Sequence, residues 1–315
     1  CIGQWKRDDI IEGTPNSIVS SYNRNFPKRN DGSAATLNFI GSPETVVGYA
    51  LFGKLTSDFT KESLIGKDGE EFILEPPTGD ELPTSGFVND PNDPFGYVAP
   101  HEDGNKITIT VSPNSDRIQL LEPFKAWDKK DYKGLRVLIK AEGKCTTDHI
   151  SEAGRWLKYR GHLENISGNL FLGANNAFTP GEVGMGIDVR DGVQNTLPVL
   201  AKKYKEAGIA WVAVGDQNFG EGSSREHAAM EPRYMNGLVI LVRSFARIHE
   251  ANLKKQGMLP LTFSDPEDYN LVRFDDAIDV FGLAVLKPGK QIKVMLNHSD
   301  GTSDEIMTNH TMSEE

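Results

Sequence analysis

Between Gly215 and His227 the sequence gathers Gly220, Gly222, Ser223, Ser224 and Arg225 into one short stretch. Glycine lets a backbone approach a ligand closely, and amides at a helix start carry partial positive charge. With two hydroxyls and a guanidinium added, the ligand this stretch suits is a carboxylate or a phosphate. A free serine hydroxyl is a poor base, but an alkoxide held by backbone amides and a guanidinium is a strong one. Ser223 or Ser224 would equally serve as a plain helix N-cap, and local sequence leaves both roles open. There is no Gly-x-Ser-x-Gly elbow to support a hydrolase.

Two further segments carry arginines: Arg24 and Arg29 beside Asn23, and Arg160. Guanidinium forks grip carboxylates in bidentate fashion, so three such segments suit a substrate with several carboxyl groups. Each arginine taken singly could instead be a surface charge. Asp148 and His149 are adjacent, and a carboxylate beside an imidazole suits an acid–base pair, or else a capped turn. Cys1 and Cys145 are the only cysteines, so no disulfide framework is built and a reducing compartment is expected. One thiolate does not hold an iron–sulfur cluster, which needs three or four. Cys145 is expected to be buried and inert.

The elements that must position these groups are α/β. An apolar run at 209–214 reads as a buried strand and 224–230 as a helix limited by Pro232. With a strand at 237–242 these alternate as a βαβ unit. Further strands are expected at 17–22, 106–111 and 135–139. Helices are expected from Ser42 through Leu51, over 197–207 with a stop at Gly208, and over 244–256 with Ser244 as cap and Gly257 as stop. Residues 173–195 read as loop. Residues 56–105, punctuated by Pro, Gly and Asp, read as a linker between a first part, 1–55, and a domain over 106–315.

A net charge of −11 argues against a broad nucleic-acid or anionic-membrane face. No apolar run reaches the roughly 18 residues of a membrane-spanning helix. The chain begins at Cys1 and stops at Glu315 without a closing element, and is expected to be a piece of a longer polypeptide.

Several segments together resemble the C-terminal part of the aconitase family, mitochondrial type. They are residues 1–5, 21–26 with Arg29, 120–124, 144–151, 156–163, 220–228 and 244–250. The resemblance implies interconversion of citrate and isocitrate through cis-aconitate with a [4Fe–4S] cluster as Lewis acid, in the mitochondrial matrix, by an enzyme expected to be monomeric when complete. It implies that Cys1 is a cluster ligand and that Asn23, Arg24, Arg29, Arg160, Ser224 and Arg225 bind substrate. Ser223 would be the base, with Asp148 and His149 supporting acid–base chemistry. Residues 1–55 would be the tail of an α/β cluster-side domain and 106–315 an α/β swivelling domain. By the same comparison this piece alone is expected not to turn over citrate. Alternatives are a homoaconitase, an isopropylmalate isomerase, or an RNA-binding iron regulator on the same scaffold.

Overall fold

The computed structural model describes residues 7–11, 13–21, 30, 31, 33–79, 86 and 99–314. It divides into two units, Cys1–Ile109 and Thr110–Glu315.

In the first unit β1 (Asn16–Ser20) runs parallel to β2 (Thr36–Ile40). Helix α1 (Pro43–Phe52) starts as its sequence directs: the Ser42 hydroxyl accepts the Thr45 N–H, and Pro43 needs no donor at the first position. Gly53 at φ +66° ends it, its N–H reaching Tyr49 O at 2.9 Å. The supposed linker contains a short antiparallel hairpin, β3 (Ser63–Ile65) with β4 (Glu71–Ile73). The strand expected at 106–111 does not form. Gly104–Lys106 is a 3-10 turn, and residues 107–110 are exposed without a ladder partner. Polar–apolar alternation needs a sheet edge to pair with, and none is offered there among the described residues.

The second unit is built on a closed barrel. Its strands are β5 (Tyr132–Lys140), β8 (Trp211–Gly215), β9 (Gly237–Val242), β10 (Leu259–Phe263), β11 (Ala277–Phe281), β12 (Ile292–Asn297) and β13 (Ser303–Asn309). Between β5 and β8 lie α2 (Thr147–Ile150), α3 (Leu163–Ile166), the hairpin of β6 (Met185–Ile187) and β7 (Gln194–Thr196), and α4 (Leu197–Glu206). That hairpin falls in the stretch expected to be loop. Helix α5 (His227–Tyr234) links β8 to β9, and α6 (Arg247–Lys255) links β9 to β10. Strands β5, β8, β9 and β10 are parallel, as crossovers through helices require; β13, β12 and β11 return antiparallel to close on β5.

Alternation along each strand divides the core in two. Val212, Val214, Val239 and Leu241 face the barrel interior with Leu261, Val280 and Val294. Trp211, Ala213, Ile240 and Val242 face outward to Leu197, Leu200, Ala228 and Leu253 on the helices. β8 is buried at all five positions, which is why it reads as one continuous apolar run.

Two helix starts differ from the sequence reading. α5 begins at His227 rather than at residue 224 and carries Pro232 inside it, the missing donor falling two residues before the helix ends. α6 begins after Ala246. Ser244 does not cap it; its hydroxyl accepts the Asn218 N–H at 2.8 Å instead.

Candidate functional site

The loop from Gly215 to Glu226 leaves the carboxyl end of β8, in the parallel part of the barrel. Asp216 fastens its start. One carboxylate oxygen accepts the Gly143 N–H at 3.1 Å, and the other pairs with Arg243 at 3.1 Å, joining the ends of β5, β8 and β9. Phe219 is buried against Phe245 and His249, with ring centroids 6.4 and 5.6 Å apart. Its N–H reaches Ser244 O, so the loop is hung from the segment after β9. Gly220, at φ +80°, lies flat on the His249 ring; a Cβ there would be 2.2 Å from ring carbons. Burial lowers the His249 imidazole to about 4, so it is a neutral packing surface.

The next residues zip onto α2. Thr147 N–H donates to Glu221 O at 2.9 Å, and the Thr147 hydroxyl donates to Ser223 O at 2.9 Å. α2 itself is only one turn long, held by a capping box in which Thr146 Oγ1 accepts the His149 N–H and His149 Nδ1 faces the Thr146 N–H. Ser223 is half-buried and Ser224 exposed, and neither hydroxyl has a hydrogen-bond partner among the described residues. Neither caps α5: the first α5 amides, of Ala228, Ala229 and Met230, turn back to Arg225 and Glu226 carbonyls. The amides left open to an anion are therefore those of the loop and of the first residue of α5. Among the described residues the amides of Gly222, Ser223, Ser224, Glu226 and His227 donate to no protein acceptor.

Arg225 is the fixed cation of the site. Its Nη1 pairs with Asp148 and donates to Ser151 O at 2.8 Å. Asp148 also accepts the Ala153 N–H at 3.1 Å. Asp148 is thus the partner of Arg225, not of His149, whose Nδ1 is occupied in the capping box and lies 3.1 Å from Lys144 O. Arg160 ends a 3-10 turn, Gly154–Tyr159, and its side chain is exposed. The His227 Nε2 lies 2.9 Å from Arg160 O, which ties the Arg160 segment to the residue two beyond Arg225. Asp148, Arg160, Ser223, Ser224 and Arg225 therefore share one neighbourhood.

Cys1, Asn23, Arg24 and Arg29 lie outside the described residues. Among the described residues no three His, Cys, Asp or Glu side chains converge to hold a metal ion. Cys145 is buried, and burial pushes its thiol up to about 12. No described helix is long and apolar enough to cross a membrane.

Sequence reasoning missed Asp216, Thr147, Ser151, Glu231 and His249. Asp216 had a signal, its place directly after a buried strand. The others are separated in sequence from what they touch, as Ser151 and Glu231 are, bonded at 2.7 Å across 80 positions.

Residues 135–266 match the aconitase C-terminal domain, and residues 1–53 match the aconitase family (aconitate hydratase). The chain is 51% identical over 315 residues to mitochondrial aconitate hydratase of Gracilaria gracilis, covering 100% of this chain and 40% of the relative. The same values hold for mitochondrial aconitate hydratase of Saccharomyces cerevisiae. A probable mitochondrial aconitate hydratase of Dictyostelium discoideum is 51% identical over 313 residues, 99% of this chain and 40% of that one. The chain thus spans about 40% of the length of these relatives.

Proposed function

We infer that this chain, which belongs to the aconitase family through its C-terminal domain at 135–266 and its segment at 1–53, serves in interconverting citrate and isocitrate through cis-aconitate. The tricarboxylate is bound by Arg225, Arg160 and the loop amides, with Ser224 as a further donor. The family resemblance separately assigns substrate binding to Asn23, Arg24 and Arg29. Ser223 removes the carbon-bound proton and returns it. Its alkoxide is favoured by the unpaired amides on either side and by the guanidinium two residues on. Asp148 holds that guanidinium in place. His149, with Nδ1 engaged, offers Nε2 for proton transfer.

The family implies a [4Fe–4S] cluster, which when bound supplies Lewis acidity toward the substrate hydroxyl and carboxylate. Cys1 is the residue of this chain assigned to it. The mitochondrial relatives support a place in the mitochondrial matrix.

The observation that carries this reading is the Ser223 hydroxyl, without a partner among the described residues and set two residues before an arginine locked by Asp148 and Ser151. In the protein that carries this chain, Ser223→Ala is expected to slow exchange of the substrate's carbon-bound proton with solvent by about 10³-fold. Citrate affinity should change little, because the carboxylate ligands remain. An unchanged exchange rate removes Ser223 as the base.

A further inference from the structure

Glu231 lies on the second turn of α5, with no solvent exposure. Its Oε1 accepts the Ser151 hydroxyl at 2.7 Å, and its Oε2 has no hydrogen-bond partner among the described residues. Ser151 is the residue that ends α2, and its carbonyl accepts Arg225 Nη1 at 2.8 Å. Ser151 is thus gripped from both sides: its hydroxyl by Glu231, its carbonyl by Arg225. The same Nη1 meets Asp148.

We propose that Glu231 is the positioning residue for Arg225: acting through Ser151 as an uncharged carboxylic acid, it sets the guanidinium for a substrate carboxylate. This rests on the carboxylate-binding role given to Arg225 above. A buried carboxylate oxygen without a donor is costly, whereas the protonated form keeps the bond from Ser151 without a naked charge. Burial does raise the Glu231 carboxyl well above the usual range, outweighing the lowering effects of the Ser151 bond and of Arg225.

Charge balance gives the neutral form its use. Arg225 and Asp148 together are neutral. An ionised Glu231 would leave the group at −1, facing a substrate with three carboxylates. As an acid, Glu231 anchors the group without competing for the cation.

Other titratable groups stand on the elements packed against α5: Asp148 and His149 on α2, Glu164 on α3, and Arg247, His249, Glu250, Lys254 and Lys255 on α6. α5 itself carries His227, Arg233 and Tyr234. Glu164 pairs with Lys202, and Glu250 with Lys254. His249 is neutral. Among the described residues, Arg225 is the charge that acts on Glu231.

The test uses the full chain with two variants, Glu231→Gln, which keeps an uncharged acceptor for Ser151, and Glu231→Leu, which removes it. Infrared spectra at neutral pH should show a buried carboxylic-acid carbonyl band in the wild type that vanishes in both variants. The side-chain NMR signal of Arg225 should be single and sharp in the wild type and Glu231→Gln, and broadened in Glu231→Leu. Citrate titrated into the wild type should bind roughly tenfold more weakly once alkaline pH ionises Glu231, a limb that Glu231→Gln abolishes. Circular dichroism checks that each variant keeps the barrel. Absence of that carboxylic-acid band from the wild type, or an Arg225 signal in Glu231→Leu identical to the wild type, overturns the proposal, and neither readout needs citrate to bind. Arg225→Gln separates the two readings: unchanged citrate binding there refutes the role of Arg225 itself. Loss in Arg225→Gln beside wild-type behaviour in Glu231→Leu refutes Glu231 alone.

Discussion

Gly220 shows how narrowly single residues set this loop. At φ +80° any side chain is strained, and here a Cβ would also fall 2.2 Å from the buried His249 ring. His249 cannot retreat, being packed on Phe219 beneath the loop and 2% exposed. Gly220→Ala is therefore expected to destabilise the second unit by about 3 kcal/mol, read as a lowered urea midpoint with an unchanged slope. A midpoint equal to the wild type would mean that the loop is not seated on His249. Ser223, Ser224 and Arg225 were legible because the types needed for anion chemistry are neighbours in the chain. The role of Asp148 was only half legible. Its acidity suited an active site, but its partner is Arg225, 77 residues away, rather than adjacent His149. Side chains of neighbours on one helical turn diverge, so adjacency in sequence was a poor guide to contact.

At the scale of elements, the strands at 209–214 and 237–242 and the helix at 197–207 were readable from apolar runs and from Gly208. The start of α5 was misread because serines before a helix resemble caps, whereas here the loop continues to Glu226 and, among the described residues, the amides of Gly222, Ser223, Ser224 and Glu226 meet no protein acceptor. The hairpin of β12 and β13 has a feature that no periodicity reveals. His298 is buried between two carboxylates, with Nδ1 2.7 Å from Asp276 and Nε2 2.9 Å from Asp304. Both bonds require the imidazolium form, and hydrogen bonds to Asp304 and Asp276 raise its pKa above 6.5. A raised folded pKa contributes stability that is complete below the unfolded value, near 6.5, and is lost as pH rises through the folded one. The thermal midpoint of the wild type should accordingly fall over that interval by more than that of His298→Gln, which cannot take the charge. At pH 6, His298→Ala should cost about 3 kcal/mol, because two carboxylates lose their shared donor. Parallel melting curves of wild type and His298→Gln across that pH range would contradict this account.

At the scale of the whole chain, alternation of strands and helices predicted α/β organisation, but closure into a barrel was not readable. Closure depends on β13, β12 and β11 returning antiparallel to meet β5, and short strands separated by turns do not announce which edge they will join. Once closed, the barrel has no free edge, and among the described residues both apolar clusters, inside and beneath the helices, are drawn from residues beyond 110. The second unit therefore contains everything a core needs, with 206 residues to bury it, well within the size at which domains fold alone. Residues 110–315 expressed alone are expected to fold cooperatively. Trp211, fully buried with its Nε1–H on Met235 O at 2.7 Å, gives the probe, since its emission should be blue-shifted and should red-shift in a single urea transition. That transition should coincide with the one Trp211 reports in the full chain, because no core residue has been removed. A broad, non-coincident transition with Trp211 already wet in buffer would show instead that the barrel depends on residues 1–109 for its closure.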